Sequence, residues 1–202
     1  MSEQTPSIYV VDDDEAMRDS MSWLLEGEGY RVACFASGES FLQARHDNMR
    51  GCLVLDVRMP EMSGLELHEK LDALGSQLPI IFVTGHGDVP MAVGALQRGA
   101  CDFIEKPFHN EDLLSRIRRA LELDSELATR RQRDGAIVHR LEQLTQRENE
   151  VMQLVVAGKL NKQIADQLNI SMKTVEAHRA RVMEKMGVRT LAELVKAVMS
   201  LK

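Results

Sequence analysis

The stretch GCLVLDVRMPEMSG, residues 51–64, sets a single aspartate at the end of an apolar run. Cys52, Leu53, Val54 and Leu55 read as a short buried strand, too short for a helix. Asp56 follows, and Pro60 and Gly64 then break the chain. An ionised acid is costly to bury unpaired, so a carboxylate here is either a strand-end cap in a solvated loop or a group with chemistry to perform. The neighbouring segments have to decide between them.

Working outward, residues 8–11, 31–35, 80–83 and 101–104 are four more short strand candidates. Helical patterns lie between them, with Ala16, Met17, Met21, Trp23, Leu24 and Leu25 expected on one side of a first helix. Ser63 with Glu66 makes a capping box, and Asn110 followed by Glu111 and Asp112 opens another helix. Repeated β-α units imply an α/β doubly wound, five-stranded parallel sheet with helices on both faces. In such sheets ligands bind beyond the carboxyl ends of the strands.

Asp56 then has company at that edge. The first strand ends in Asp12 and Asp13, the fourth in Thr84, and the fifth is followed by Lys106 and Pro107. Crowded carboxylates repel one another, and a hard cation among them relieves this. Mg²⁺ suits the set, since it takes one or two carboxylates plus waters and phosphate oxygens. An aspartate beside it can act as a nucleophile toward phosphorus, with Thr84 and Lys106 donating to the phosphoryl oxygens.

The rest of the chain is differently composed. Residues 122–143 are charge-dense with irregular apolar spacing, a partly helical linker extending the preceding helix, either solvated or a coiled coil. From Leu144 the pattern is all helical, with a capping box at Thr145 and Glu148 and a stop at Gly158. NKQIADQL, the short turn NIS and MKTVEAHRARVMEKM make a helix-turn-helix closed by Gly187. A final helix carries Leu191, Leu194, Val195 and Val198. The expected domains are therefore residues 1–124, a linker at 125–143, and 144–202.

Bulk properties agree. Of 202 residues, 44% are hydrophobic and 28% charged, which is ordinary for a globular protein of one or two domains. The opening MSEQTPS has no basic-then-apolar leader and no apolar run approaches a membrane span, so a cytoplasmic protein without membrane contact is expected. Cys34, Cys52 and Cys101 are scattered, with no C-x-x-C pair, and read as reduced core thiols rather than a zinc or redox site. The net charge of −6 is uneven: residues 141–202 hold ten Lys/Arg against seven Asp/Glu, and residues 1–140 fifteen against twenty-four. Two modules with different partners follow from that split.

The motifs VVDDD, LVLDVRMPEMSG, FVTGHGD and FIEKPF make residues 1–124 resemble the receiver domain of two-component response regulators, a flavodoxin-like fold. The resemblance implies Asp56 as phosphoacceptor, Asp12 and Asp13 as the acidic pair for Mg²⁺, and the main-chain carbonyl of Arg58 as a further ligand. It also implies Thr84 and Phe103 as a switch pair, Lys106 as the phosphate-sensing cation, and a cis Lys106–Pro107 bond. Asp14 is a bystander at the helix start, where acids are favourable. The C-terminal module resembles the LuxR-type helix-turn-helix, and the whole chain a FixJ-type regulator of the NarL/FixJ class. Its base-contacting stretch would map to Thr174, Val175, Glu176, Ala177, His178 and Ala180, with Lys173, Arg179 and Arg181 on phosphates.

What this implies is a phosphorylation-dependent DNA-binding transcriptional regulator and not an enzyme. Its partners would be a sensor histidine kinase, double-stranded promoter DNA, RNA polymerase and a second copy of itself. Dimerisation is expected through residues 89–103, including Val93, Leu96 and Arg98. Haloacid-dehalogenase-like phosphatases also use a strand-end aspartate, but Arg58 stands where their second aspartate would be. A receiver whose helical tail binds no DNA is the other alternative.

Overall fold

The computed structural model describes residues 6–85, 93–94, 96–97 and 99–201. The chain divides into two compact units, Met1–Ala128 and Thr129–Lys202.

The first unit holds β1 (Ser7–Val11), α1 (Glu15–Gly27), β2 (Arg31–Phe35), α2 (Gly38–Ala44), β3 (Gly51–Asp56), α3 (Gly64–Ala73), β4 (Ile80–Thr84) and β5 (Asp102–Glu105). A long helix, α4 (Asn110–Glu142), begins in this unit and ends in the second. The strands form one sheet in the order β2-β1-β3-β4-β5, every neighbouring pair parallel. The expected strands are all present, the fifth shifted by one residue.

Period-two alternation divides the core between the two faces of the sheet. Leu53, Leu55 and Phe82 pack with Phe41, Leu67 and Leu71 of α2 and α3. Cys52, Val54, Ile81 and Val83 pack on the other face with Met21 and Leu25 of α1 and Leu113 and Ile117 of α4. Every residue of β3 is buried, which is why its sequence shows no polar face. At its start Gly51 has φ of +123°, and a Cβ there would lie 1.8 Å from the Ser7 carbonyl oxygen, so no other residue fits.

Two sequence expectations are corrected. Trp23, expected on the apolar side of α1, is 86% exposed, because Met21 and Leu25, two residues to either side of it, face the core. Cys34 is exposed rather than in the core, while Cys52 is buried and Cys101 half-buried. The linker at residues 122–143 is also more regular than its charge density suggests, since α4 is helical through Glu142. One cause is Asp124, only 1% exposed, which accepts a hydrogen bond from Arg50 Nε at 2.8 Å and holds this part of α4 to the unit.

The second unit is α5 (Gln146–Val156), α6 (Asn161–Leu168), α7 (Met172–Met186) and α8 (Leu191–Met199). Val151, Val155, Ile164, Val175, Val182, Met186 and Leu194 form its core. The capping box at Thr145 and Glu148 is present, and Ser171 caps α7. Asn169, in the left-handed region at φ of +53°, ends α6 and makes the turn.

Glu148 is buried and binds Lys185 Nζ at 2.6 Å, while accepting the Thr145 N–H. The Lys185 contact and these hydrogen bonds lower its carboxyl to about 2. A depressed carboxylate contributes stability that is present above the unfolded value of about 4.3 and is lost as pH falls through the folded value. Thermal melts of the chain should therefore show a decline between roughly pH 4.5 and 2, and Lys185→Met should flatten it.

Leu160 occupies the N-cap of α6, 70% exposed, and its side chain cannot accept a hydrogen bond from the helix. Only the reciprocal half of a capping box is made, Gln163 Oε1 accepting the Leu160 N–H at 3.0 Å. Leu160→Ser is expected to raise stability by about 1 kcal/mol, read as a higher denaturant midpoint at unchanged slope.

Candidate functional site

The parallel sheet brings the ends of β1, β3, β4 and β5 to one edge, and four of the expected residues meet there. Asp12 and Asp56 are 2% and 7% exposed, and both bind the ammonium of Lys106, at 2.9 Å and 2.7 Å. Their remaining oxygens are held from the main chain. Asp12 Oδ1 accepts the Asp14 N–H at 2.9 Å, and Asp56 Oδ2 accepts the Arg58 N–H at 2.7 Å. Lys106 is positioned by its own N–H, which donates to the Thr84 carbonyl at 2.7 Å; the Lys106–Pro107 bond that follows is cis, as expected. The start of α3 presses on the other side, where a Cβ on Gly64 would lie 2.1 Å from the Asp56 carbonyl oxygen.

Burial pushes the Asp56 carboxyl up, against the hydrogen bond and charge of Lys106, and Asp12 pushes it further. Burial would lower Lys106, but the two carboxylates outweigh it and hold the ammonium above its ordinary value. Two carboxylates share one cation, so the pocket keeps a net negative charge. Thr84 is fully buried, and its Oγ1 has no hydrogen-bond partner among the described residues. A buried hydroxyl without a partner is costly, and a ligand oxygen would relieve that cost. Phe103 is half-buried against the α2–α3 side of the core.

The expected acidic trio is only partly assembled. Asp12 and Asp56 converge, whereas Asp13 is exposed, and no group of three His, Cys, Asp or Glu side chains among the described residues is arranged to hold a metal. The Lys106 ammonium lies on both buried carboxylates instead. The donors available are nonetheless all hard oxygens around an excess negative charge, which fits a cation of the Mg²⁺ type. Asp14 is more than a bystander: it is the N-cap of α1 and accepts the Ala16 and Met17 N–H groups.

Arg18 escapes a reading of the sequence. Its Nη1 donates to the carbonyl oxygens of Asp12 and Asp13, at 2.8 Å and 2.9 Å, and fixes the acidic loop from outside. Its place one helical turn after Asp14 is the only available signal. Of the expected dimer surface, residues 89–92, 95 and 98 lie outside the described residues. Val93 is helical and 42% exposed, and Leu96 packs on the core.

In the second unit, Lys173, Glu176, Ala177, Ala180 and Arg181 are exposed on α7. Lys173, Glu176 or Ala177, and Ala180 recur at intervals of three or four and share a face. Thr174 is half-buried and bonded to Ser171. Val175, expected to face DNA, is fully buried between the helices, so it is a core residue. Arg179 turns to Asn161 of α6, and His178 is half-buried with no partner for its Nδ1 among the described residues. No helix among the described residues is long and apolar enough to cross a membrane.

Comparison with known proteins covers both units. Residues 8–118 match the response regulator receiver domain, and residues 142–198 the bacterial regulatory proteins of the luxR family. The chain is 46% identical over 202 residues to the response regulator protein TmoT of Ectopseudomonas mendocina, covering 100% of this chain and 92% of that one. It is 44% identical over 196 residues to the transcriptional regulatory protein FixJ of Azorhizobium caulinodans, covering 97% and 92%. Among solved structures, the response regulator StyR is 43% identical with a TM-score of 0.82, covering 96% of this chain and 98% of that one. Full-length FixJ from B. japonicum is 42% identical with a TM-score of 0.61, covering 98% of both.

Proposed function

This chain belongs to the two-component response regulators that join a receiver domain to a LuxR-type DNA-binding domain, and on that premise we propose that Asp56 is the phosphoacceptor that controls the DNA-binding unit. The family is one of transcriptional regulators, not of enzymes. The observation that carries the proposal is the buried Asp56 carboxylate held by Lys106, one strand away from the Thr84 hydroxyl, which has no partner among the described residues.

An Asp56 carboxylate oxygen attacks the phosphorus of a phosphohistidine on a sensor kinase. The P–N bond breaks, an acyl phosphate forms, and the imidazole nitrogen of the kinase takes up a proton. Mg²⁺, held by Asp12, Asp13, Asp56 and the Arg58 carbonyl, would neutralise charge on the phosphoryl oxygens when bound. Lys106 exchanges the Asp56 carboxylate for a phosphoryl oxygen, and the Thr84 hydroxyl donates to another. Both contacts exist only after transfer, so they can report it. Movement of Thr84 leaves space for Phe103, altering the surface of residues 89–103 on which two copies pair. The dimer binds paired half-sites in promoter DNA in the cytoplasm, in concert with RNA polymerase, through Lys173, Thr174, Glu176, Ala177, His178 and Arg181. Receiver, linker and DNA-binding domain take residues 1–124, 125–143 and 144–202.

Incubation with Mg²⁺ and acetyl phosphate tests the first step. One phosphoryl group per chain is expected, stable to acid and labile to base as a carboxylic–phosphoric anhydride is. Absence of label, or label on serine or histidine, would overturn the assignment.

A further inference from the structure

We infer that Arg179 is a positioning residue that locks the recognition helix α7 to α6, and that it makes no contact with the DNA backbone. The inference rests on the DNA-binding reading of this unit and departs from what a basic residue on such a helix suggests. Arg179 Nη1 donates to Asn161 Oδ1 at 2.5 Å, across 18 residues of chain, and the contact is half-buried. Asn161 is the first residue of α6, so the bond ties the start of one helix of the pair to the middle of the other.

Arg179 is itself half-buried. It lines a small cleft with Val151, Met152, Val155, Val182, Met183 and Leu194, all members of the core of this unit or packed against it. A long cationic side chain can bury its stem on apolar surface in this way while its head stays polar. Its neighbours Lys173 and Arg181 behave differently, being exposed, and no hydrogen bond or ion pair ties either to another described residue. The guanidinium is a planar fork whose geometry suits a fixed amide oxygen, so the bond is directional as well as attractive.

The consequence is for specificity. Base contacts demand that α7 enter the groove at one angle, whereas phosphate attraction tolerates a range of angles. Loss of the Arg179–Asn161 bond should therefore spare non-specific affinity and erode discrimination between sites.

The experiment uses the full chain and equilibrium DNA binding from about 50 to 200 mM salt. A duplex selected from random sequence by the wild-type protein is compared with a scrambled duplex. Arg179→Met should lower affinity for the selected duplex about tenfold and leave the scrambled duplex within about twofold, with the salt slope unchanged. Asn161→Ala, which does not disturb the core, should reproduce this, and the double variant should be no worse than either alone. Arg179→Lys should restore part of the discrimination.

A direct phosphate contact predicts otherwise: equal weakening on both duplexes, a slope smaller by about 0.9, and no effect of Asn161→Ala. Either that pattern or additive single variants would overturn the inference. A readout without DNA keeps the two questions apart. The Arg179 guanidinium protons should exchange slowly by NMR in the wild type and rapidly in Asn161→Ala. Unchanged exchange would dismiss the clamp even if DNA binding proceeds as proposed. Slow exchange in a chain that binds no duplex would uphold the clamp and dismiss the DNA reading instead.

Discussion

Asp56→Asn should abolish the phosphoryl label while leaving the chain folded. The substitution keeps shape and removes the nucleophile, since an amide oxygen does not form a stable acyl phosphate under these conditions. The environment of the carboxyl argues that the fold survives. Burial raises Asp56, so the stability it contributes is greatest below the ordinary carboxylate range and is lost as pH rises through the raised value. At neutral pH the native carboxylate is thus a burden on folding, and Asp56→Asn should melt no lower than the wild type. Lys106→Met should behave in the opposite way. It removes the cation bonded to both Asp12 and Asp56 and leaves two buried carboxylates facing each other. A lower melting temperature and a Mg²⁺ requirement for full stability are expected, with label reduced but not absent. The pair of variants separates the group that reacts from the group that holds it. Label on Asp56→Asn at the wild-type level would refute the assignment.

Much of this is legible in the sequence, for reasons that differ by residue. β3 declares itself because a strand covered on both faces must be apolar throughout, and GCLVLD is apolar up to its terminal Asp56. Asp12, Asp56, Thr84 and Lys106 can be grouped from strand order in the chain alone, because parallel strands bring their carboxyl ends to one edge. Capping boxes at Ser63 and Thr145 follow from local chemistry and need no tertiary information.

What escapes depends on direction rather than position. Trp23 is apolar, but its helix phase points it at solvent, and hydrophobicity alone does not reveal phase when Leu24 and Leu25 adjoin it. Val175 and Arg179 sit on the expected helix, yet one packs in the core and the other bends to Asn161. A motif match assigns residues to a helix and cannot say which of them face outward. Arg18 leaves little signal beyond its place one turn after Asp14, because its partners are main-chain carbonyls, which leave no trace in the identity of the residues that carry them.

Phosphorylation should tighten DNA binding by about 10²–10⁴, the range reached when a second binding event becomes intramolecular. The DNA-binding unit is small and has two exposed cations on α7, Lys173 and Arg181, so one copy is expected to bind DNA with modest affinity. Pairing two receivers would hold the second copy at high effective concentration over its half-site, and this would suffice without a long-range path between the units. The expected trigger is local. Thr84 Oγ1 is buried without a partner among the described residues, and a phosphoryl oxygen on Asp56 would give it one. Val93, helical and 42% exposed, lies within the surface expected to pair and outside the phosphoacceptor pocket. A charge placed there would face its own copy across a two-fold interface, where like charges meet and repel. Sedimentation with and without beryllofluoride should show a monomer–dimer shift that tracks the gain in DNA affinity. Val93→Glu should take up label normally and remain monomeric, with the affinity gain reduced to within about tenfold of the unmodified protein. If beryllofluoride tightens binding by the full amount while the protein stays monomeric on and off DNA, pairing is not the switch, and release of a masked recognition helix takes its place.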